Sequence, residues 1–182
     1  MSLEVWTALA QIGTFVVIAL TAIAALIQLS HLRTANVISA TNSFLEEYEG
    51  PENREAFSFV RAQLAHRLDD PDFRKDYEVR NLDRTQHPEI AVLNFFDKWG
   101  AYYRQGAIDR EMFMRLNAGL VLRHWRQLEP VVAILAEQDG SNVAFEQFEY
   151  LAVQADDWMH VHPSGDYPKD VRRMPLTNPW KR

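Results

Sequence analysis

The chain has 182 residues, a net charge of −6 and no cysteine. The negative charge argues against the coherent basic face of nucleic-acid-binding proteins, so no nucleic-acid partner is predicted. Because cysteine is absent, disulfide bonds, cysteine metal ligands and cysteine nucleophiles are excluded, and a reducing compartment is favoured. The length suits one membrane span followed by a single domain.

The first element is the stretch Val5–Ser30, which contains no charged side chain. Since about 20 helical residues cross a bilayer, this stretch predicts a transmembrane helix. A cleaved signal peptide is the alternative, but residues 1–4 lack Lys and Arg and the apolar run exceeds the usual ~7–15 residues. His31 and Arg33 follow the stretch whereas Glu4 precedes it. The positive-inside rule therefore predicts a single-pass protein whose C-terminal domain is cytoplasmic.

Apart from Ser30 at its boundary, the polar side chains of this stretch fall on one heptad stripe of the helix. They are Thr7, Gln11, Thr14, Thr21 and Gln28. The remaining positions of the stripe, within the stretch and beyond it, are Ile18, Ala25, Leu32, Ala35, Ser39 and Asn42. This spacing predicts one unbroken helix to about Tyr48. Because lipid tails offer no hydrogen-bond partners, the stripe is expected to face protein or water. Alternatively, the threonines bond to carbonyls of their own helix and the terminal glutamines reach the headgroups.

Gly50-Pro51 marks the predicted boundary between the anchor and the rest of the chain, with the glycine suited to a left-handed helix end and the proline to a helix start. The predicted organisation is a transmembrane helix with its extension over residues 1–49, a helical soluble domain over 50–162, and a basic, proline-containing tail over 163–182.

The helical domain begins with an amphipathic helix predicted over Glu52–Leu68. Asp70 is predicted to cap a second helix that has Pro71 at its first position. Apolar residues are sparse from there to Arg84. This helix is therefore predicted to be short and solvent-facing, and a loop leads on to Pro88.

The aromatic-rich segment that opens at Pro88 predicts the strongest core helix, which Gly106 ends. Asp109 is predicted to cap the next helix, and Pro130 is expected to break or kink it. Asn142 is predicted to cap the last helix. The predicted inward side chains of that helix are Phe148, Leu151, Ala152, Ala155 and Met159. No alternating strand pattern occurs, so the predicted fold class is all-α, with one N-terminal transmembrane helix extending into a small cytoplasmic helical domain.

One cluster near the end of the last helix has metal-ligating side chains. Asp156 and His160 are four residues apart and share a helix face, and His162 follows where the helix ends. The paired-histidine signature of hydrolytic zinc helices is missing, and such residues at a helix end more often form a cap and a surface pair. No phosphate loop or nucleophile elbow occurs, so no catalytic residue and no cofactor is predicted.

Two of the three other histidines in the helical domain, at positions 87 and 124, lie in its central segments. His87 and His124 are expected to meet a carboxylate only through tertiary folding. His124, beside Trp125, is interpreted as a packed or rim residue rather than a base.

The tail carries an excess of basic side chains. They are Lys169, Arg172, Arg173, Lys181 and Arg182. On a membrane-anchored protein such a tail could lie on anionic headgroups, with each basic residue contributing on the order of 1 kcal/mol. The alternative is a solvated or domain-wrapping terminus.

Several short blocks resemble those of a known family. The blocks are Trp6–Gln11, His31–Arg33, Val92–Phe96, Gly106–Asp109, Trp125 with Leu128 and Pro130, and Phe145–Leu151. They resemble a bacterial family of small membrane-anchored proteins known as a domain of unknown function (4760-like), over nearly the whole chain except the tail. The resemblance implies a bacterial inner-membrane protein with a helical cytoplasmic domain, and it supplies no catalytic residues.

Three functional hypotheses follow. The first is a non-enzymatic, single-pass adaptor that is surrounded by membrane lipids and forms a homo-oligomer or docks onto another membrane protein. The second is a homo-oligomeric pore in which the polar stripe lines water. The third is a metal-dependent enzyme at Asp156, His160 and His162. The identity of a partner, the stoichiometry and any ligand of the helical domain are left open by the sequence.

Overall fold

The computed structural model describes residues 2–78, 82–140 and 143–180. Every regular element within these ranges is an α-helix, and one of these helices is long and apolar enough to cross a membrane. The all-α prediction is therefore confirmed. The chain divides into two compact units, one that ends at Gly50 and one that begins at Pro51.

The first unit consists of α1, Leu3–Glu49, an unbroken helix of 47 residues. At about 1.5 Å per residue it is about 70 Å long, more than twice the ~30 Å thickness of a hydrocarbon layer. The predicted continuity of span and extension is confirmed. Gly50 follows the helix in an extended conformation, with φ −58° and ψ 150°, so the predicted left-handed conformation is wrong. Pro51 is the first residue of the next helix, as predicted.

Two helices, α2 (Pro51–Ala62) and α3 (Leu64–Arg67), replace the single helix predicted over Glu52–Leu68. Gln63 separates them because its φ of −125° leaves the helical region. The amide of Gln63 still donates to the Phe59 carbonyl at 2.8 Å, so the break is confined to one residue. The buried side chains of the two helices are Ala56, Phe57, Val60 and Leu64.

The short helix α4, Pro71–Asp76, begins as predicted. Asp70 Oδ1 accepts a hydrogen bond from the amide of Asp72 at 2.9 Å. The prediction of a solvent-facing element is wrong, because Phe73 and Tyr77 are buried with their ring centroids 5.7 Å apart. Two aromatic side chains four residues apart lie on the same helical face, which gives even this short helix an apolar side.

The helix α5, Glu89–Gln105, contributes more buried aromatic rings to the core than any other described helix. Its buried apolar side chains are Val92, Leu93, Phe95, Phe96, Trp99 and Tyr103. Gly106 ends the helix with a left-handed φ of 71°, and its amide donates to the carbonyl of Tyr103 at 3.1 Å. Both the core helix and its glycine end were predicted, and both are confirmed.

The long helix α6, Arg110–Asp139, starts at the predicted cap, where Asp109 Oδ1 accepts from the amide of Met112 at 2.8 Å. Pro130 was expected to break or kink α6, and the first of these outcomes is wrong, since the helix continues through Pro130. A proline removes the hydrogen bond to the carbonyl four residues earlier. Here that carbonyl belongs to Arg126, and both Arg126 and Pro130 are exposed, so solvent can compensate for the loss.

The last helix, α7, spans Glu146–Val161. The predicted cap, Asn142, lies outside the described residues. Phe145 precedes the helix with a left-handed φ of 56° and makes no side-chain cap. The cap comes from another helix, because Asp97 Oδ1 of α5 accepts from the first-turn amides of Gln147 at 3.0 Å and Phe148 at 3.1 Å.

The junction between α5 and α7 is unusually close at Gly100. A Cβ atom added there would overlap the backbone carbonyl of Gln147. One turn further along α5, Arg104 donates to Glu146 Oε1 at 2.9 Å. Three successive turns of α5 therefore fix the start of α7.

The core of the helical domain lies where α2, α5, α6 and α7 meet, and it is built from aromatic rings. Phe96 stacks on Phe148 with ring centroids 4.7 Å apart, and Trp125 of α6 meets Phe148 edge to face at 5.1 Å. Phe57 of α2 meets Phe95 edge to face at 5.4 Å. Such ring pairs contribute about 0.5–1.5 kcal/mol each beyond the area that they bury.

Candidate functional site

The polar stripe of α1 lies on the surface of the unit. Its predicted members, all exposed, are Thr7, Gln11, Thr14, Thr21 and Gln28. The hydroxyl of Thr14 donates to the carbonyl of Ala10 at 2.9 Å, and that of Thr21 donates to Val17 at 2.8 Å. These two hydroxyls are satisfied within their own helix, which is the alternative that the sequence left open for the threonines.

The two glutamines of the stripe differ from these threonines. Within the part of the chain that the structure describes, the side-chain amides of Gln11 and Gln28 make no hydrogen bond, and both are exposed. Transfer of an amide from water into hydrocarbon without a hydrogen-bond partner costs on the order of 4–8 kcal/mol. Unlike the hydroxyls of Thr14 and Thr21, the two glutamine amides are therefore left without a partner among the described residues.

A buried polar network joins α4 to the start of α5. Glu89 is fully buried, and its Oε1 accepts hydrogen bonds from the Tyr77 hydroxyl at 2.6 Å and from Nδ1 of His87 at 2.8 Å. Nε2 of His87 lies 3.4 Å from Oδ2 of Asp76. The ring of Phe73 stacks on the His87 imidazole at 4.5 Å. The network thus fixes the segment that leads from α4 into α5.

The chemistry of this network suits a structural role. Burial, the hydrogen bond to Glu89 and the nearby carboxylate charges raise the pKa of Tyr77 above its ordinary value, so Tyr77 remains a hydroxyl donor. The expectation that His87 meets a carboxylate only through tertiary folding is wrong, because Glu89 is two residues away in the sequence. The spacing of His87, Pro88 and Glu89 was the signal that sequence reasoning missed.

His124 of α6 is a packed residue, as predicted. It is fully buried, and its ring centroid lies 5.2 Å from those of Phe57 and Phe96. Nδ1 donates to the carbonyl of Leu120 at 2.9 Å. Burial lowers the pKa of His124, and this effect outweighs the opposing hydrogen bond to Leu120. The imidazole is therefore held in its neutral form in the core.

The structure brings together two of the three predicted metal ligands. Oδ2 of Asp156 lies 3.3 Å from Nδ1 of His160, which also lies 2.8 Å from the Asp156 carbonyl. His162 turns elsewhere, since its Nδ1 donates to the Trp158 carbonyl at 3.0 Å and its ring stacks on the indole at 4.3 Å. Among the described residues, no group of three or more His, Asp or Glu side chains could hold a metal ion.

A groove of about 810 Å³ runs between α6 and α7. From α6 it is lined by Leu122, Arg123, Arg126 and Gln127, and from α7 by Asp156, Met159 and His160. Met159 was predicted to face the core, but it is 38% exposed and faces this groove. The volume lies within the ~300–1,000 Å³ that is usual for small-molecule sites. Sequence reasoning found Asp156 and His160 but missed the two arginines.

A family model described as a domain of unknown function (DUF4760) matches residues 15–155, which is more than three quarters of the chain. The protein belongs to the DUF4760 family. The resemblance seen in the sequence blocks is confirmed at the level of the family. No curated protein and no solved structure matches the sequence.

The DUF4760 match begins inside the apolar stretch of α1 and ends near the middle of α7. The buried network around Glu89, the packed His124 and the α6 side of the groove lie within it. Asp156, His160 and the basic tail lie beyond it. The family match therefore includes most of the helical domain and the α6 side of the groove, but not its α7 side.

The tail of this DUF4760 protein folds back in its first half. Oδ2 of Asp166 lies 2.6 Å from Nε of Arg115 on α6, and Arg173 donates to the carbonyl of Ser164 at 3.1 Å. Of the predicted lipid-contacting residues, Lys169, Arg172 and Arg173 are exposed, whereas Lys181 and Arg182 lie outside the described residues. The exposed apolar side chains near the end of the tail are Met174, Leu176 and Trp180.

Proposed function

We propose that this DUF4760 protein is a single-pass protein of the bacterial inner membrane that self-associates, or docks onto another membrane protein, through the polar stripe of α1. It would carry its helical domain on the cytoplasmic side as a non-catalytic adaptor. One observation supports this most directly: the described side chains of the charge-free stretch Val5–Ser30 are nearly all exposed, and glutamine amides without a partner interrupt that apolar surface along one stripe.

The composition and exposure of α1 support a membrane span. Its most apolar window has a mean hydropathy of 2.4, and none of that window is buried. A core helix of a soluble protein would bury most of such a surface. The family match includes the second half of the apolar stretch, which favours a retained segment over a cleaved leader.

The depths of the two glutamines in the bilayer distinguish their roles in the proposed contact. If the charge-free stretch Val5–Ser30 is centred in the bilayer, Gln11 lies about 10 Å from the centre and Gln28 about 16 Å from it, at ~1.5 Å per residue. The hydrocarbon layer extends about 15 Å to either side. Gln11 would therefore lie in hydrocarbon, whereas Gln28 would reach the headgroups. Gln11 is the residue that needs an interhelical partner.

The heptad spacing of the stripe suits a pair or bundle of helices that wind around each other. An ideal straight helix drifts about 20° per heptad relative to such a stripe. Over the three heptads from Thr7 to Gln28 the stripe turns by about 60° around a straight helix, so two straight helices could not keep the whole stripe in contact. A left-handed supercoil keeps the stripe at the contact.

A packed contact is favoured over a water-filled pore. Ile18 and Ala25 occupy the stripe between the polar positions, and the hydroxyls of Thr14 and Thr21 already bond to their own helix. These features leave little polar surface for water. Discrete conductance in planar bilayers that changes in stripe variants would favour the pore instead.

The decisive experiment measures the protein mass of the full chain in detergent by light scattering. We expect an oligomer for the wild type and a weaker association, by roughly 3–30-fold, for Gln11→Leu, because interhelical hydrogen bonds contribute about 0.6–2 kcal/mol. Thr14→Val and Gln28→Leu are matched controls that should keep the wild-type mass. If Gln11→Leu combined with Thr14→Leu leaves the mass unchanged, the stripe is not the contact.

The orientation has its own test, because the chain contains no cysteine. A single cysteine added at the C-terminus is expected to resist membrane-impermeant thiol reagents in intact cells and to react after lysis. Labelling in intact cells would place the helical domain outside and contradict the assignment from Arg33 and His31.

A further inference from the structure

The groove between α6 and α7 contains two guanidinium groups that the fold does not use. Arg123 and Arg126 are both exposed, and among the residues that the structure describes neither makes a hydrogen bond or an ion pair. Arg104, by contrast, pairs with Glu146 at 2.9 Å. Two cations that stand three residues apart on one helix repel each other. Their shared placement therefore adds nothing to the stability of α6 and suits an anionic ligand.

The chemistry of the two arginines favours phosphate. Each guanidinium presents planar, paired donors that match the oxygens of a phosphate group, and side chains at positions i and i+3 lie on the same helical face. Arg123 and Arg126 can thus approach one anion together from α6.

The charge of the groove is positive even though it contains a carboxylate. Asp156 lines the groove, and its Oδ2 lies 3.3 Å from Nδ1 of His160. Both neighbours of that nitrogen, the Asp156 carboxylate and its carbonyl, are acceptors, so Nδ1 carries the proton and moderates the carboxylate charge. Two guanidinium charges against one carboxylate leave the groove attractive to anions.

The groove is larger than a phosphate group and partly apolar. Leu122 and Met159 line it, and its volume is about 810 Å³. A ligand that fills it needs an organic part that contacts these two side chains. We propose that the groove binds a phosphate ester, with Arg123 and Arg126 holding the phosphate and Leu122 and Met159 contacting the organic part. A phospholipid headgroup and a soluble phosphate ester both offer this chemistry.

Calorimetric titration of the full chain in a non-ionic detergent at low salt tests the site. Glycerol 3-phosphate is the soluble probe, dihexanoyl phosphatidic acid is the lipid probe, and glycerol is the uncharged control. At least one phosphate probe is expected to bind, and Arg123→Gln and Arg126→Gln should each weaken that binding at least tenfold. Tighter binding of the lipid probe indicates a headgroup, and comparable or tighter binding of glycerol 3-phosphate indicates a soluble ester.

The matched control is Arg84→Gln, which removes the same charge from an exposed position outside the groove and should leave binding unchanged. Thermal unfolding of the groove variants should match the wild type, because the side chains that they change are exposed. The proposal is overturned if neither probe binds the wild type at millimolar concentration, if the groove variants bind as the wild type does, or if Arg84→Gln weakens binding equally. The mass measurements on the α1 stripe are independent of all these outcomes.

Discussion

α1 and the helical domain differ in how their polar side chains bond. In α1, hydroxyls bond to carbonyls four residues earlier, as Thr14 does with Ala10. The helical domain has such local bonds too, but some of its polar groups also bond between elements, as Asp97 of α5 does with the first turn of α7. A local bond is satisfied wherever its helix lies, whereas a bond between helices fixes one helix against the other. The hydroxyls of Thr14 and Thr21 therefore do not fix α1 against another element.

The apolar side chains show the same contrast. Phe15 of α1 is 72% exposed, whereas Phe96 and Phe148 of the helical domain are fully buried. The domain buries its own apolar rings, whereas the charge-free stretch of α1 leaves its apolar side chains exposed. This difference predicts that substitutions of equal size have unequal effects in the two units.

The largest expected effect comes from truncating a ring in each unit. Phe96→Ala should reduce the free energy of unfolding of the helical domain by about 3–5 kcal/mol, because it removes a fully buried ring. Phe15→Ala should change it by less than about 0.5 kcal/mol. Urea unfolding of the full chain, followed by tryptophan fluorescence, measures both. Equal losses for the two variants would contradict the contrast between the units.

The next effect concerns two helical glycines of the domain. Gly100→Ala should destabilise the domain by about 1–3 kcal/mol, because the added methyl group overlaps the Gln147 carbonyl. Gly119→Ala is the matched control, since nothing lies within 4 Å of the added atom, and it should stabilise by about 0.5–1 kcal/mol. The same unfolding experiment gives both values. A stable Gly100→Ala variant would mean that α5 and α7 can separate without cost.

A smaller effect is expected at the cap that α5 provides for α7. Asp97→Ala should reduce stability by about 0.5–2 kcal/mol, because two first-turn amides lose their acceptor. Asp97→Asn keeps a side-chain oxygen at the same position and should retain most of the stability. Thermal unfolding of the two variants distinguishes a capping role from a charge effect, and equal losses would indicate the latter.

The smallest effect is a pH dependence. The pKa of His124 is lowered by burial, so between that value and the ordinary one of ~6.5 the unfolded chain binds more protons. The contribution of His124 to stability is therefore fully present above pH ~6.5 and is lost as the pH falls, by at most about 1.4 kcal/mol at pH 5.5.

Unfolding at pH 7.5 and pH 5.5 measures this loss. His124→Leu should show a smaller difference between the two pH values than the wild type. His66→Leu, at a side chain that is 93% exposed, should show the wild-type difference. If both variants keep that difference, His124 is not the group responsible.

The features that the sequence predicted well depend on neighbouring residues. The caps at Asp70 and Asp109 and the helix end at Gly106 are confirmed, because caps and glycine ends depend on residues within one turn and are visible as local patterns. The unbroken length of α1 was predictable for the same reason, since a heptad stripe repeats along a single helix.

Some of the features that the sequence did not predict depend on residues far apart. Nothing near Asp97 indicates that it caps a helix about 50 positions later, and the start of α7 was misplaced as a result. The candidate site shows the same limit. Asp156 and His160 were found because they lie one turn apart, whereas Arg123 and Arg126 become a candidate site only when α7 lies beside them.

Pro130 has a mechanical consequence for α6. The carbonyl of Arg126 has no amide to bond to in its own helix, so the turn between these residues is the easiest place for α6 to bend. The part of α6 before this turn borders the groove with Leu122 and Arg123. The part after it contains Gln138, whose side-chain oxygen can accept a hydrogen bond from the amide of Glu78 at 3.1 Å. Flexing at a single proline would therefore change the groove and the support of α4 in one movement.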